Sequence, residues 1–118
     1  MRAKAGKDYR VKVRGKAVVY KLYPISVLCD ALTEALGSQR TPTTIRQWER
    51  SKIIPEAPFK SKGVRLYHED YINALVRIAK EERLRQGASF MHTAFQERAW
   101  KELTEINRKL RGKDNEQE

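Results

Sequence analysis

Apolar residues recur along this chain at two spacings, and the changes from one to the other mark its elements. From Tyr9 to Tyr23 they alternate with basic residues on both sides of Arg14-Gly15-Lys16. A period of two is the mark of a half-buried strand, so the segment is expected to fold as a β-hairpin. Tyr9, Val11 and Val13 share one face of its first strand, and Val18, Val19, Tyr20 and Leu22 supply the return. Pro24 ends that strand. Beyond it Ile25, Leu28, Cys29, Leu32 and Leu36 follow at steps of three and four, the inner stripe of a helix that Gly37 stops.

A second helix is signalled more sharply. Thr41 suits an N-cap, and Pro42 suits the first helical position, where a missing N–H costs nothing. Ile45 and Trp48 point inward, leaving Thr43, Thr44, Arg46, Gln47 and Arg50 outside. Pro55 and Pro58 block continuation, so the helix is expected over about 42–51. Lys60 to Gly63 make a basic turn, and Val64 to Tyr67 a short strand. A third helix starts near Glu69, with Tyr71, Ile72, Leu75, Ile78 and Ala79 on its core face, and Gly87 interrupts it.

The last helix is expected over about Ser89–Arg111. Its apolar residues Met91, Phe95, Ala99, Leu103, Ile106 and Leu110 approach a heptad seam, with Trp100 beside it. Such a seam packs on the chain's own core, pairs two copies as a homodimer through Phe95, Ala99, Leu103, Ile106 and Leu110, or takes a partner helix. The chain thus divides into a basic arm at 1–8 expected to be disordered, a folded unit at 9–86, the helix at 89–111 and a frayed polar tail at 112–118. The fold class expected is mainly α with a small β component.

Composition narrows the chemistry. The 118 residues suffice for one small core and leave little for a deep substrate cavity. No apolar run spans a membrane, and the amino terminus lacks the apolar core of a signal peptide. Cys29 cannot form an internal disulfide. With two scattered histidines it makes no zinc site, and its place in an apolar stripe marks a buried small residue rather than a reactive thiol. A reduced, cytoplasmic setting is expected. No phosphate loop, zinc-protease motif or nucleophile elbow occurs, so neither catalysis nor a cofactor is expected. His68, beside Glu69 and Asp70, reads as a helix-start residue rather than a metal ligand.

The net charge is +10, and its placement says more than its size. Residues 1–21 carry +7, residues 22–39 carry −2, residues 40–65 carry +5, and the remainder is neutral. Two basic clusters flanking one compact segment favour a polyanionic partner.

The order helix, turn, short helix, basic hairpin, helix is that of a winged helix-turn-helix. Within it, Thr44-Ile45-Arg46-Gln47-Trp48-Glu49-Arg50-Ser51-Lys52-Ile53-Ile54-Pro55 and then Gly63-Val64-Arg65-Leu66-Tyr67-His68-Glu69-Asp70 resemble the two linked motifs of the MerR-type DNA-binding domain. The resemblance covers about residues 22–80. Phage excisionases and terminase small subunits use similar folds, so it implies a way of binding DNA more than a biological role. Carried over by position, Thr41 caps the recognition helix and Pro42 and Thr43 lie nearest the bases. Arg46 grips a phosphate, and Gln47 faces DNA, suited to a bidentate bond with adenine or a bond to phosphate. Arg65 contacts DNA from the wing, with Lys60 and Lys62 as phosphate partners. Ile45 and Trp48 fall on packing positions, and Tyr67 anchors the wing.

Three departures stand out. Lys52 occupies a position where the family has Gly, which forces a positive φ on lysine or a different turn. Val64 replaces the wing aromatic. The stretch from Ile25 to Ile45 is about six residues longer than the family spacing.

The expected function is sequence-specific binding of double-stranded DNA, as a transcriptional regulator acting by repression without an effector domain, associated with the nucleoid. The expected contact residues are Arg40, Thr41, Thr43, Thr44, Arg46, Gln47, Arg50, Lys60, Lys62 and Arg65, with the basic arm and hairpin adding backbone contacts. Excision, packaging or an architectural role in a phage or mobile element keeps the same contacts. An interaction adaptor working through the C-terminal helix is the rival of a different class.

Overall fold

Pro24 links the chain's first strand pair to its first helix: its extended backbone (φ −74°, ψ 169°) closes a strand and serves as N-cap of the helix that follows. The computed structural model describes residues 6–37, 39–82 and 93–112. Residues 1–5 of the expected arm, Gly87, the helix start at Ser89 and Met91, and residues 113–118 of the tail lie outside the described residues.

Strands β1 (Lys7–Val13) and β2 (Lys16–Pro24) pair antiparallel from Lys7↔Leu22 to Val13↔Lys16. The last two residues of the expected arm therefore belong to a strand. Arg14 and Gly15 form the turn with φ of 55° and 80°, the pair of positive values a two-residue type I′ turn demands. Strands β3 (Phe59–Ser61) and β4 (Val64–His68) repeat the device, with Lys62 and Gly63 at 53° and 82°.

The two hairpins join through β2 and β4 into one antiparallel sheet of order β1-β2-β4-β3. This corrects the expectation of a mainly α chain with a small β component: the architecture is mixed α/β. The joint is short, Leu22↔His68, Tyr23↔Tyr67 and Pro24↔Leu66. Leu22, Tyr23, Leu66 and Tyr67 are all buried there, so apolar side chains are covered on both faces of the joint.

Four helices complete the described residues. Helix α1 (Ile25–Leu36) ends where Gly37, at φ 74°, donates its N–H to the Thr33 carbonyl. Helix α2 (Pro42–Arg50) stops one residue short of the expected span, with Ser51 as its C-cap. Helix α3 (Glu69–Glu81) opens on His68, whose Nδ1 accepts the Asp70 N–H at 3.0 Å. Acidic Glu69 and Asp70 in its first turn complement the helix dipole. Helix α4 runs Thr93–Arg111.

The core gathers Leu28 and Leu32 of α1, Ile45 and Trp48 of α2, Tyr71, Leu75 and Ile78 of α3, and Phe95, Ala99 and Leu103 of α4. Trp48 and Phe95 meet edge to face with centroids 5.5 Å apart. The heptad-like seam is thus used within one chain. Phe95, Ala99, Leu103 and Leu110 are buried and Ile106 packs against the core. Each large apolar side chain so covered contributes about 2 kcal/mol that a dimer through the same seam would first have to give up. Trp100, beside the seam, stays 40% exposed. Among the described residues no helix is long and apolar enough to cross a membrane.

Candidate functional site

Helix α2 is short, and its cap sets its direction. The Thr41 hydroxyl oxygen accepts the Thr44 N–H at 3.4 Å and lies 3.3 Å from the Thr44 hydroxyl. Both threonines are half-buried and occupied with the helix start. Because Ile45 and Trp48 are drawn into the core, the residues at three- and four-step spacing on the far side turn outward. Thr43, Arg46, Gln47 and Arg50 are all exposed there. Among the described residues no hydrogen bond or ion pair joins Arg46 to another side chain, and the residue is exposed.

Arg40 departs from the expected set. It is only 6% exposed, its backbone N–H donates to the Thr33 hydroxyl at 2.8 Å, and burial lowers the pKa of its guanidinium. It belongs to the junction of α1 and α2, not to the outer surface.

The chain after α2 folds back sharply. Lys52 takes φ 61°, the left-handed value foreseen for a lysine at a glycine position, and the Ile53 N–H donates to the Trp48 carbonyl at 2.8 Å. The loop from Pro55 to Pro58 then runs under α4, which supplies donors to its carbonyls. Asn107 Nδ2 bonds the Glu56 oxygen at 2.8 Å, and Arg111 bonds the Pro58 and Ala57 oxygens at 2.7 and 2.9 Å. The Tyr71 hydroxyl donates to the Pro55 oxygen at 2.8 Å. Four successive carbonyls are therefore held by side chains of α3 and α4.

Glu49 joins this loop to the hairpin. One carboxylate oxygen accepts the Ala57 N–H at 3.0 Å, and the other accepts from Arg65 Nε at 2.7 Å and Arg65 Nη2 at 2.5 Å. The Glu49 bond raises the Arg65 pKa further above its ordinary value. Arg65 was expected to point at a partner. Its role here is first internal, tying β4 to α2, with a quarter of its side chain still open to solvent. Lys60 pairs with Arg65 in register and is exposed, as is Lys62 at the turn. Val64 is 53% exposed beside it.

Burial raises the Tyr67 pKa, with the Glu49 carboxylate adding to the rise and Arg65 and Arg46 opposing it. The same Arg46 lowers the Cys29 pKa against burial and Asp30, which together push that thiol up to about 11. Arg46 of α2 and Arg65 of β4 thus both oppose the rise of the Tyr67 pKa.

Of the ten expected contact residues, Thr43, Arg46, Gln47, Arg50, Lys60 and Lys62 share an exposed position on α2 or the β3–β4 hairpin. Thr41, Thr44 and Arg65 are partly committed to the fold, and Arg40 is inside it. Glu49, Asn107 and Arg111, which hold the two halves together, were not among the expected residues. The signal available for Glu49 was an acid between exposed basic residues on α2, facing an arginine sixteen positions on. Among the described residues no three histidine, cysteine or acidic side chains come together as a metal site. Comparison of the chain with protein-family models, with curated proteins and with solved structures finds no match.

Proposed function

We propose that this chain binds double-stranded DNA as a winged helix-turn-helix protein, with α2 as recognition helix and the β3–β4 hairpin as wing. The observation that carries the reading is the Glu49–Arg65 tie, which holds a helix with an exposed basic and amide stripe beside a hairpin with exposed Lys60 and Lys62. Nine helical residues extend about 14 Å, and a helix of that size enters a major groove of about 12 Å width. Arg46, Arg50, Lys60 and Lys62 supply cations for phosphates on either side of the groove. Gln47 supplies an amide able to meet an adenine edge with both its donor and its acceptor. The resemblance of residues 44–55 and 63–70 to MerR-type motifs supports the same assignment of helix and wing. Regulation of transcription, by repression, is the role this reading favours.

The test is a selection from random duplex DNA followed by titration of the enriched site at two salt concentrations. A single enriched sequence and a log–log salt slope near −4 are expected, since each neutralised phosphate contributes about −0.9. Arg46→Gln with Lys60→Gln should weaken binding by about tenfold or more for each phosphate bond removed, a charged hydrogen bond contributing on the order of 1.5–3 kcal/mol. Gln47→Ala should relax the selected sequence at one position. Unchanged affinity in the Arg46/Lys60 variant would overturn the reading.

A further inference from the structure

The amino-terminal hairpin is not a loose arm. Its Tyr20 hydroxyl donates to the Leu110 oxygen at 3.1 Å, and Arg14 Nε donates to the Gly112 oxygen at 3.1 Å. Gly112, at φ 74°, lies so close that a Cβ there would stand 2.5 Å from a Val13 methyl carbon. Tyr20 also packs on Phe59 and His68, with centroids 5.8 and 5.2 Å away. One face of the ribbon is therefore held against the carboxyl end of α4 and its neighbours.

Strand alternation then decides what the other face carries. Starting from Tyr23↔Tyr67, steps of two along β2 and its pairing with β1 place Lys21, Val19 and Ala17 opposite Asp8, Arg10 and Lys12. All six are exposed, Val19 at 58%. The same steps along β4 place Arg65, and Lys60 opposite it, on this side of the sheet. The open face thus holds three cations and one acid around a small apolar centre, on a ribbon whose geometry α4 fixes in advance.

The sheet topology sets where this face lies. Both β2 and β4 begin at their turns and run antiparallel, so the Arg14-Gly15 turn and the Lys62-Gly63 turn lie at opposite ends of the sheet. Along the paired strands, however, Lys21, Arg10 and Lys12 lie four, six and eight residue steps from the Arg65–Lys60 pair, roughly 13, 20 and 26 Å. One turn of duplex DNA is about 34 Å.

We infer that the Arg10–Lys12–Lys21 face of the amino-terminal ribbon is a second phosphate-binding surface, engaging the same duplex about half to three-quarters of a helical turn from the wing. This rests on the DNA-binding reading above and adds to it a longer footprint. Phosphates are the partners assigned to it, and a salt series reads such contacts directly through the counterions they release. Alanine and valine at the centre let the ribbon approach the sugar-phosphate surface without a bulky side chain between.

The experiment uses the full chain with Arg10→Gln, Lys12→Gln and Lys21→Gln together. All three side chains face solvent, and circular dichroism checks the fold. Binding is measured over a salt series to a 10-bp and a 24-bp duplex of mixed sequence, beside wild type and the Arg46→Gln/Lys60→Gln variant. The ribbon variant should lower the salt slope by about 2–3 on the 24-bp duplex and by less on the 10-bp duplex, which is too short to lie under the helix, the wing and all three ribbon cations at once. The helix-wing variant should lower it on both. A ribbon variant indistinguishable from wild type on 24 bp, while the helix-wing variant loses affinity, overturns the second surface and leaves the first. An equal loss from the ribbon variant on both lengths also overturns it, since the contact would then lie within the helix-wing footprint. If only the helix-wing variant behaves as wild type, the helix-wing reading fails, and with it the ribbon as a second surface beside the wing.

Discussion

The Glu49 carboxylate and the Arg65 guanidinium meet across the gap between α2 and β4, with Nη2 2.5 Å from one carboxylate oxygen while the other oxygen holds the Ala57 N–H. Only 9% of the Glu49 side chain is exposed. A carboxylate so enclosed is tolerable because each of its oxygens has a donor, and its removal strands both an arginine and a backbone amide.

Glu49→Ala should therefore destabilise the fold by about 2–3 kcal/mol, more than Arg65→Ala, because the glutamate serves two partners. A double-mutant cycle measured by urea unfolding should give a favourable coupling of about 1–2 kcal/mol between the two residues. Zero coupling would mean that the β3–β4 hairpin is held by its strand pairing alone.

Lys52→Gly should stabilise the protein. Lysine at φ 61° occupies a region open without strain to glycine. Relief of about 1 kcal/mol exceeds the extra chain entropy that glycine brings to the unfolded state, for a net gain of about 0.5 kcal/mol. A thermal melt raised by a few degrees is the expected result; a lowered one would show that packing of the lysine side chain in this turn outweighs the backbone strain.

Arg111→Ala should loosen the loop before β3. The Pro58 and Ala57 oxygens lose their donors, and a cost of about 1–3 kcal/mol follows. Amide hydrogen exchange should rise at Lys60 and Ser61 more than in α1, since the loop connects directly to β3. Uniform acceleration across the chain would argue for a general loss of stability instead.

Cys29 should resist alkylation in the native state and react readily in denaturant. Burial raises its thiol pKa from 9.0 to about 11, so the folded chain disfavours the thiolate. With the folded pKa above the unfolded one, the contribution to stability is fully present below about pH 9. It is lost as pH rises toward 11, where the unfolded chain has already released its proton. Cys29→Ala should flatten this part of the stability profile, which urea midpoints between pH 8 and 11 would reveal.

Local chemistry was legible wherever a single element could supply the answer. Thr41 and Pro42 announce the start of α2, Gly37 the end of α1, Glu69 the start of α3 and Arg14-Gly15 the first turn, whereas the turn expected over Lys60 to Gly63 is Lys62-Gly63 alone, with Lys60 and Ser61 in β3. The inward faces were legible too, because periodicities of two and 3.6 follow from backbone geometry that neighbours in sequence already fix. The outward stripe Thr43, Arg46, Gln47 and Arg50 follows from the same rule.

What the sequence by itself determined, then, was the identity of the elements and which side of each turns inward. Tertiary structure alone decided how those sides meet. It joined two hairpins into one sheet at Tyr23↔Tyr67, drew Arg40 inside, and used the Phe95–Leu103 seam for the chain's own core. It also gave Arg65 to Glu49 and set the two basic turns at opposite ends of the sheet. Pattern marks a surface as apolar or charged, but the partner that covers or pairs it comes from distant parts of the chain. That choice rests on shape and satisfied hydrogen bonds across the whole molecule, which no local window contains.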